Sequence, residues 1–423
     1  MMIKDGYKEV RIGPKKYHIP KEWEFRNFGL ISKYIKAGGT PKADKKEYYG
    51  GEILFVKIED MTKNGKYIYN TKSTITEDGL KNSSAWIVPK KSLLLSMYGS
   101  YGKVSINKVE LATNQAILGI IPSEEVNLDY LYYFSLGCLK PYFKSLVKAT
   151  TQANLTKQIV NNTPVLSPPL PEQKKIAAIL STVDKAIEKT DEIIEKSKEL
   201  KKGLMQQLLT KGIGHSEFKE VRIGTKKIKI PVVWTLIKFG EVFKKRNEKA
   251  NVEKEYKYVG LEHLGTGEIN LLGYDRNGNN KSSKRLFKSG DILYGKLRPY
   301  LKKAAITDFD GICSTDIIPI YATKKSVNNY LIYLVHSKMF VDFAVSTMEG
   351  TNLPRTSWRV IKNLIIPLPP LQEQKKIASI LSSVDEKIQK EQEYREKLEE
   401  LKKGLMQKLL TGEVRVKVED EEV

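Results

Sequence analysis

The chain writes one long segment twice. PPLPEQKKIAAILSTVD at 168–184 matches PPLQEQKKIASILSSVD at 369–385, and the match runs without a gap to Leu209 and Leu410, always 201 positions apart. A second echo opens each half: YKEVRIGPKKYHIPKEW at 7–23 against FKEVRIGTKKIKIPVVW at 218–234, here 211 positions apart. The unequal offsets leave a longer divergent stretch in the first half. A chain of 423 residues is too long for one ordinary domain. The echoes divide it as head, rod, second head, second rod.

The rods read as helices. Ile176, Leu180, Val183 and Ile187, and again Ile377, Leu381, Val384 and Ile388, alternate spacings of four and three, the seam of a coiled coil. Pro168, Pro169 and Pro171 precede or open the first rod, and Pro369 and Pro370 the second; proline is tolerated at a helix start and excluded from its interior. Gly212 and Gly412 supply the stops. Each rod then has about 38 residues, or roughly 57 Å at 1.5 Å per residue. Gly203 and Gly404 sit inside the rods, where glycine costs about 1 kcal/mol relative to alanine. Their presence in both copies predicts a backbone that something approaches closely, the other helix or a partner protein. Leu204 and Leu405, next in sequence, join that packing set.

Charge separates heads from rods. The net charge is +22, an excess that favours a polyanionic partner through counterion release. Residues 1–171 carry 25 basic and 15 acidic side chains, and residues 213–372 carry 27 and 15. The rods contribute only +2 and +1, and the tail after Gly412 gives −3. Two equally basic heads joined by nearly neutral rods predict a bipartite site. Each head alternates short apolar strands, such as 51–58 and 92–98 or 257–261 and 291–296, with a helix at 128–146 or 329–345, a mixed α/β pattern without a regular βαβ cadence.

Catalytic chemistry is not written here. The SPPL at 167–170 lacks the aromatic residue of an amino-methyltransferase motif and runs straight into a rod. YGSYGKV at 98–104 is not a phosphate-binding loop, and EYK at 255–257 is a triplet that arises by chance in a highly charged chain. The four histidines show no metal-ligand spacing. Two cysteines, Cys138 and Cys313, exclude a disulfide framework and suit a reducing, cytoplasmic setting. No run of 18 apolar residues and no signal peptide are read, so neither a membrane partner nor a cofactor or metal is expected on this chain.

Readout remains. Arg and Lys suit guanine, and Asn and Gln suit adenine, when loops or helix ends carry them to the major groove. The first head offers Tyr98, Ser100, Tyr101, Lys103, Asn114, Gln115, Thr151, Gln152, Asn154 and Lys157. The second offers Lys296, Arg298, Tyr300, Lys302, Lys303, Asn352, Arg355, Trp358 and Arg359. For each, a phosphate contact or a solvated side chain is the plainer alternative.

Two divergent heads, two repeated rods and PPL-x-EQKKIA-x-IL leading each rod resemble the specificity subunit of type I restriction–modification systems. GGTPKAD (38–44), GSYGKVSI (99–106), ATNQAI (112–117) and ATTQANLT (149–156) agree in the first head. The second departs, with KLRPYLKKAAI (296–306), CSTDI (313–317) and GTNLPRTSWRVI (350–361) at the equivalent places. The resemblance implies two target-recognition domains, 1–170 and 213–371, separated by two long helices, 171–212 and 372–412, that form an antiparallel coiled coil with pseudo-twofold symmetry, and an acidic tail, 413–423. It also implies a split duplex-DNA target with a nonspecific spacer, and two methyltransferase subunits docked on the helices, with restriction subunits joined through them. S-adenosylmethionine, ATP and Mg would belong to those partners. A coiled-coil scaffold whose heads bind RNA or protein, and an enzyme that modifies DNA itself, stay compatible with the residues alone.

Overall fold

The computed structural model describes residues 5–98, 101–149, 155–223, 226–249, 255–276 and 284–417. The chain forms two compact units, Met1–Asp191 with Tyr394–Val423, and Glu192–Glu393. Both rods are helices, Leu170–Lys211 with 42 residues and Leu371–Leu409 with 39. Each contributes one part to each unit.

The two units share a topology that their sequences conceal. In the first, a five-stranded sheet runs in the order Ser32–Ala37, Ile117–Pro122, Leu93–Ser96, Val104–Asn107, Tyr67–Ile68. In the second, Phe243–Lys245, Ile317–Ala322, Ile292–Gly295 and Ala304–Ile306 follow the same order without the last strand. A second sheet in each unit contains a parallel pair: Tyr49–Val56 with Ala112–Thr113, and Lys257–Val259 with Gly311–Cys313. The central strands are buried on both faces, which explains their continuous apolar runs in place of alternation.

The opening echo folds as an antiparallel hairpin in each unit, Tyr7–Ile12 with Lys15–Pro20 and Phe218–Ile223 with Lys226–Pro231, in matching register. A short ribbon follows: Glu24–Asn27 pairs with Pro164–Ser167, and Thr235–Lys238 with Ile365–Leu368. Those second strands lead directly into the long helices, so the prolines fall where the strand ends and the helix begins. Gly212 and Gly412 end the helices with φ of +68° and +71°, the left-handed conformation that glycine adopts without a Cβ clash.

The seam residues have a second job beside the one their spacing suggests. Ile176, Ala177 and Leu180 are buried in the first head's own core beside Tyr130, Phe134 and Leu166. Ile377, Ala378 and Leu381 do the same in the second, beside Tyr330, Leu334 and Ile366. Val183 and Ile388 are buried, while Val384 and Ile187 are half-buried. The leading turns of each rod are therefore part of a head. The apolar period records anchoring there before it records helix pairing.

The same cores include the end of the other helix, Leu409 and Leu410 in the first unit and Leu208 and Leu209 in the second, and charged contacts add to this pairing. In the first unit Lys402 meets Asp184 at 2.5 Å and Arg395 meets Asp191 at 2.5 Å. Rising numbers on one helix against falling numbers on the other make the segments antiparallel. In the second unit Lys201 meets Asp385 at 2.5 Å. Lys201 and Lys402 are equivalent positions of the repeat, as are Asp184 and Asp385. Each lysine thus pairs with the aspartate of the other copy of the repeat. A tyrosine from the head completes each pair: Tyr133 donates to Asp184 at 2.6 Å and Tyr333 to Asp385 at 2.9 Å.

Among the described residues nothing approaches Gly203 or Gly404. A Cβ built at either position has no neighbour within 4 Å, and both residues are exposed, with Leu204 and Leu405 half-buried beside them. The close approach of the other helix expected at these glycines is absent.

Candidate nucleic-acid interface

The two echoes meet at a buried carboxylate. Glu172 and Gln173, and their copies Glu373 and Gln374, lie in the first turns of each long helix; Glu172 and both glutamines are buried and Glu373 is half-buried. Trp23, the last residue of the first echo, donates its indole N–H to Glu172 at 3.0 Å. Trp234 does so to Glu373 at 2.9 Å. The remaining carboxylate lone pairs face the end of the other helix in sequence. Arg415, just past Gly412, donates to Glu172 at 2.8 and 3.0 Å. Glu373 instead accepts the Ile213 backbone N–H at 3.0 Å and lies 2.8 Å from His215 Nε2. The Glu172 carboxylate and a further pairing with Glu22 raise the Arg415 pKa. Gln173 and Gln374 each donate to the carbonyl of the proline that precedes the helix, Pro168 and Pro369, at 2.9 Å. Buried polar groups persist when satisfied, and these are. They fix the heads on the helices, and so aim the loops that each head carries.

Those loops lie at corresponding places. In the first unit, residues 97–103 join the central strands and are tied to the following segment by Leu155 N–H donating to Met97 at 3.2 Å. In the second, residues 296–303 are tied in the same way by Thr356 N–H donating to Lys296 at 3.0 Å. These bonds set Met97 beside Leu155 in the first head and Lys296 beside Thr356 in the second.

The states of the predicted readout residues differ. In the first head Tyr98 and Tyr101 are half-buried against the core. Lys103 donates to Thr62 at 2.7 Å, and burial, with Lys140 nearby, lowers its pKa. Asn114 accepts the Ala116 N–H at 3.2 Å, closing a turn, and exposed Gln115 pairs with Thr40. Lys157 is exposed at the start of the helix Lys157–Asn161. Ser100, Thr151, Gln152 and Asn154 lie outside the described residues. In the second head Arg355 donates to Asp316 at 3.0 Å, Lys296 lies 3.7 Å from the same carboxylate, and Lys303 donates to the Leu261 carbonyl at 2.7 Å. Trp358 packs against the core with its ring 6.1 Å from Phe239. Arg298, Tyr300, Lys302, Asn352 and Arg359 are exposed. Asp316, which organises two of the predicted cations, carried no signal in the sequence.

Other charged clusters are structural. A cleft of about 720 Å³ in the first unit is walled by Lys15, Lys66, Asp184 and Lys402 among others. Lys66 is paired with Asp129 at 2.9 Å, and Asp184 with Lys402. Among the described residues Glu262, His263 and Asp275 bring ligand atoms within 4.8 Å of one another, but His263 Nδ1 accepts the Gly260 N–H at 3.0 Å and the carboxylates are exposed. No described helix is long and apolar enough to cross a membrane.

Comparison with known proteins agrees with this architecture. Residues 20–197 and 231–400 each match the type I restriction modification DNA specificity domain. The chain is 31% identical to the type I restriction enzyme MjaVIII specificity subunit of Methanocaldococcus jannaschii, over 99% of both proteins. It is 29% identical to the MjaIX specificity subunit of the same organism, over 97% of this chain and 96% of that one. The E. coli EcoDI specificity subunit is 24% identical over 81% of each. A chain from a type I restriction–modification system, solved in work on its complex assembly and conformational transition, superposes with a TM-score of 0.57 at 15% identity, over 94% of this chain and all of that one. The S subunit from M. genitalium gives 0.56 at 15% identity, over 92% and 96%. Two basic heads of one topology, held by reciprocal helix contacts and matched twice by the same domain, place the chain in the type I restriction–modification DNA specificity family.

Proposed function

We propose that each head reads one half of a split duplex-DNA target, and that the long helices carry the catalytic partners. The functional division follows residues 1–170 and 213–371 as target-recognition domains, 171–212 and 372–412 as helices, and 413–423 as a tail. One observation supports this reading above the others: the strand orders agree between heads while the loop sequences they carry, YGSYGKV at 98–104 and LRPYLKKA at 297–304, differ. A shared frame with unlike loops is what two half-sites of different sequence require. Methyltransferase subunits dock on the helices at the open backbone of Gly203 and Gly404, and restriction subunits join through them. S-adenosylmethionine, ATP and Mg act on those partners, and this chain supplies recognition.

The test exchanges one head. Replacing residues 218–367 by the matching segment of a relative, in the assembled methyltransferase, alters one half of the methylated sequence and leaves the other as it was. A change in both halves refutes independent reading.

A further inference from the structure

We propose that Arg298 and Lys302 are the residues with which the second head reads and grips its half-site, each held in a backbone conformation that a side chain makes costly. The proposal rests on the DNA-reading function given above and names the residues that perform it.

Arg298 and Lys302 bracket a single turn of 3-10 helix, Pro299–Leu301, and have φ of +51° and +50°. This left-handed region is unfavourable for residues with a Cβ and is populated chiefly by glycine. The first head occupies the position equivalent to Lys302 with Gly102, at φ +67°. The frame therefore accepts glycine at this site, and the second head carries a long cation instead. Such strain in a rigid loop points to a role for the side chain.

The backbone around both residues is pinned. Arg298 N–H donates to the Pro354 carbonyl at 2.8 Å, Lys302 N–H to Pro299 at 3.0 Å, and Gly267 N–H to the Lys302 carbonyl at 3.2 Å. The side chains are not pinned. Among the described residues neither makes a hydrogen bond or ion pair, and both are exposed, flanking Tyr300, which is 48% exposed. The neighbouring cations Lys296, Lys303 and Arg355 are occupied by Asp316 and Leu261, and so position the loop. Preorganised backbone with outward cations suits DNA. A guanidinium forms a bidentate pair with the O6 and N7 of guanine, which we assign to Arg298. An ammonium is a point charge suited to a phosphate, which we assign to Lys302.

The experiment selects bound duplexes from a randomised library with the full chain and its Arg298→Gly, Arg298→Asn and Lys302→Gly variants. Lys91→Gly, at φ +66° in an exposed turn of the first unit, gauges relief of strain alone. The arginine variants lose a guanine preference at one position of one half-site, by roughly ten- to a hundredfold, and keep the other half-site. Asparagine tolerates this conformation and behaves as glycine does. Lys302→Gly weakens binding to all sequences alike, and its log–log salt slope becomes shallower by about 0.9. All the glycine variants melt about 2–4 °C higher. Unchanged base preferences and salt slopes, or lower melting temperatures, overturn the proposal. A wild-type chain that enriches no sequence overturns the DNA-reading function itself, and the proposal with it.

Discussion

The Glu172 clamp gives a stability prediction with a built-in control. Glu172 is 1% exposed and accepts from Trp23 at 3.0 Å and from Arg415 at 2.8 and 3.0 Å. Glu172→Ala leaves a buried indole N–H without an acceptor, which costs about 1–3 kcal/mol. It also takes from Arg415 one of its two carboxylate partners, Glu22 remaining, and that side chain is 37% exposed. Water then replaces part of the lost interaction, so this share is about 1 kcal/mol rather than the 3–5 kcal/mol of a fully buried pair. The expected loss is about 2–4 kcal/mol. Glu172→Gln keeps an acceptor for the indole and loses only about 1 kcal/mol. Arg415→Met is worse, about 3 kcal/mol, because it strands a buried carboxylate. Combining Glu172→Gln with Arg415→Met removes the stranded charge. The double variant is therefore more stable than the sum of the single losses by about 1–3 kcal/mol. Urea unfolding of the full chain, followed by tryptophan fluorescence, reads these differences. Strict additivity would show that carboxylate and guanidinium do not act as a pair, and would refute the clamp.

Two further outcomes are expected. Gly203→Leu with Gly404→Leu leaves melting unchanged or raises it, since the side chains enter open space and the helix gains about 1 kcal/mol per site. Co-elution with the methyltransferase subunit on a sizing column falls, and an unaltered complex contradicts docking at these glycines. His336 is 7% exposed, with Nε2 3.0 Å from the Ala304 carbonyl, and burial pushes its pKa down to about 4. The unfolded chain takes up that proton near pH 6.5. The stabilisation is fully present above pH 6.5 and is lost as the pH falls through 4, amounting to about 2–3 kcal/mol by pH 4.5. Urea midpoints of a His336→Leu variant should show a flatter acid limb; the same slope as the parent rejects the assignment.

What the sequence disclosed was set by how its signals arise. Repetition at a fixed offset exposed the helices and the two-part plan, because identical residues need no physical interpretation to be counted. Periodicity told only part of the work of Ile176, Leu180, Ile377 and Leu381, which pack into a head as well as with the end of the other helix, because an apolar stripe looks the same against a sheet as against a helix. Glu172 and Glu373 were visible as kept acidic residues, yet the burial of the first and half-burial of the second were not, since a carboxylate in the first turn of a helix is ordinarily a solvated favourable charge. The pairing of each with a tryptophan at the end of the opening echo was the available clue. Arg298 and Lys302 could be nominated by charge, but nothing in KLRPYLKK announces two left-handed residues. Asp316 sits in CSTDI, and only folding brings it to Lys296 and Arg355.

The second unit is one continuous stretch, whereas the first needs both Met1–Asp191 and Tyr394–Val423. Order of synthesis therefore opposes order of completion. The first head leaves the ribosome early, but Leu409 and Leu410 belong to its core, and Lys402 and Arg415 close its charged contacts. At about 5–20 residues per second, those groups arrive roughly 10–40 s after the intervening unit begins to emerge. In that interval the nascent first head has apolar surface around Ile176 and Leu180 waiting for a helix not yet made, a state open to aggregation. A chain stalled near residue 393 contains every residue of the second unit and leaves the first unfinished, so the half made first is the half that premature termination damages.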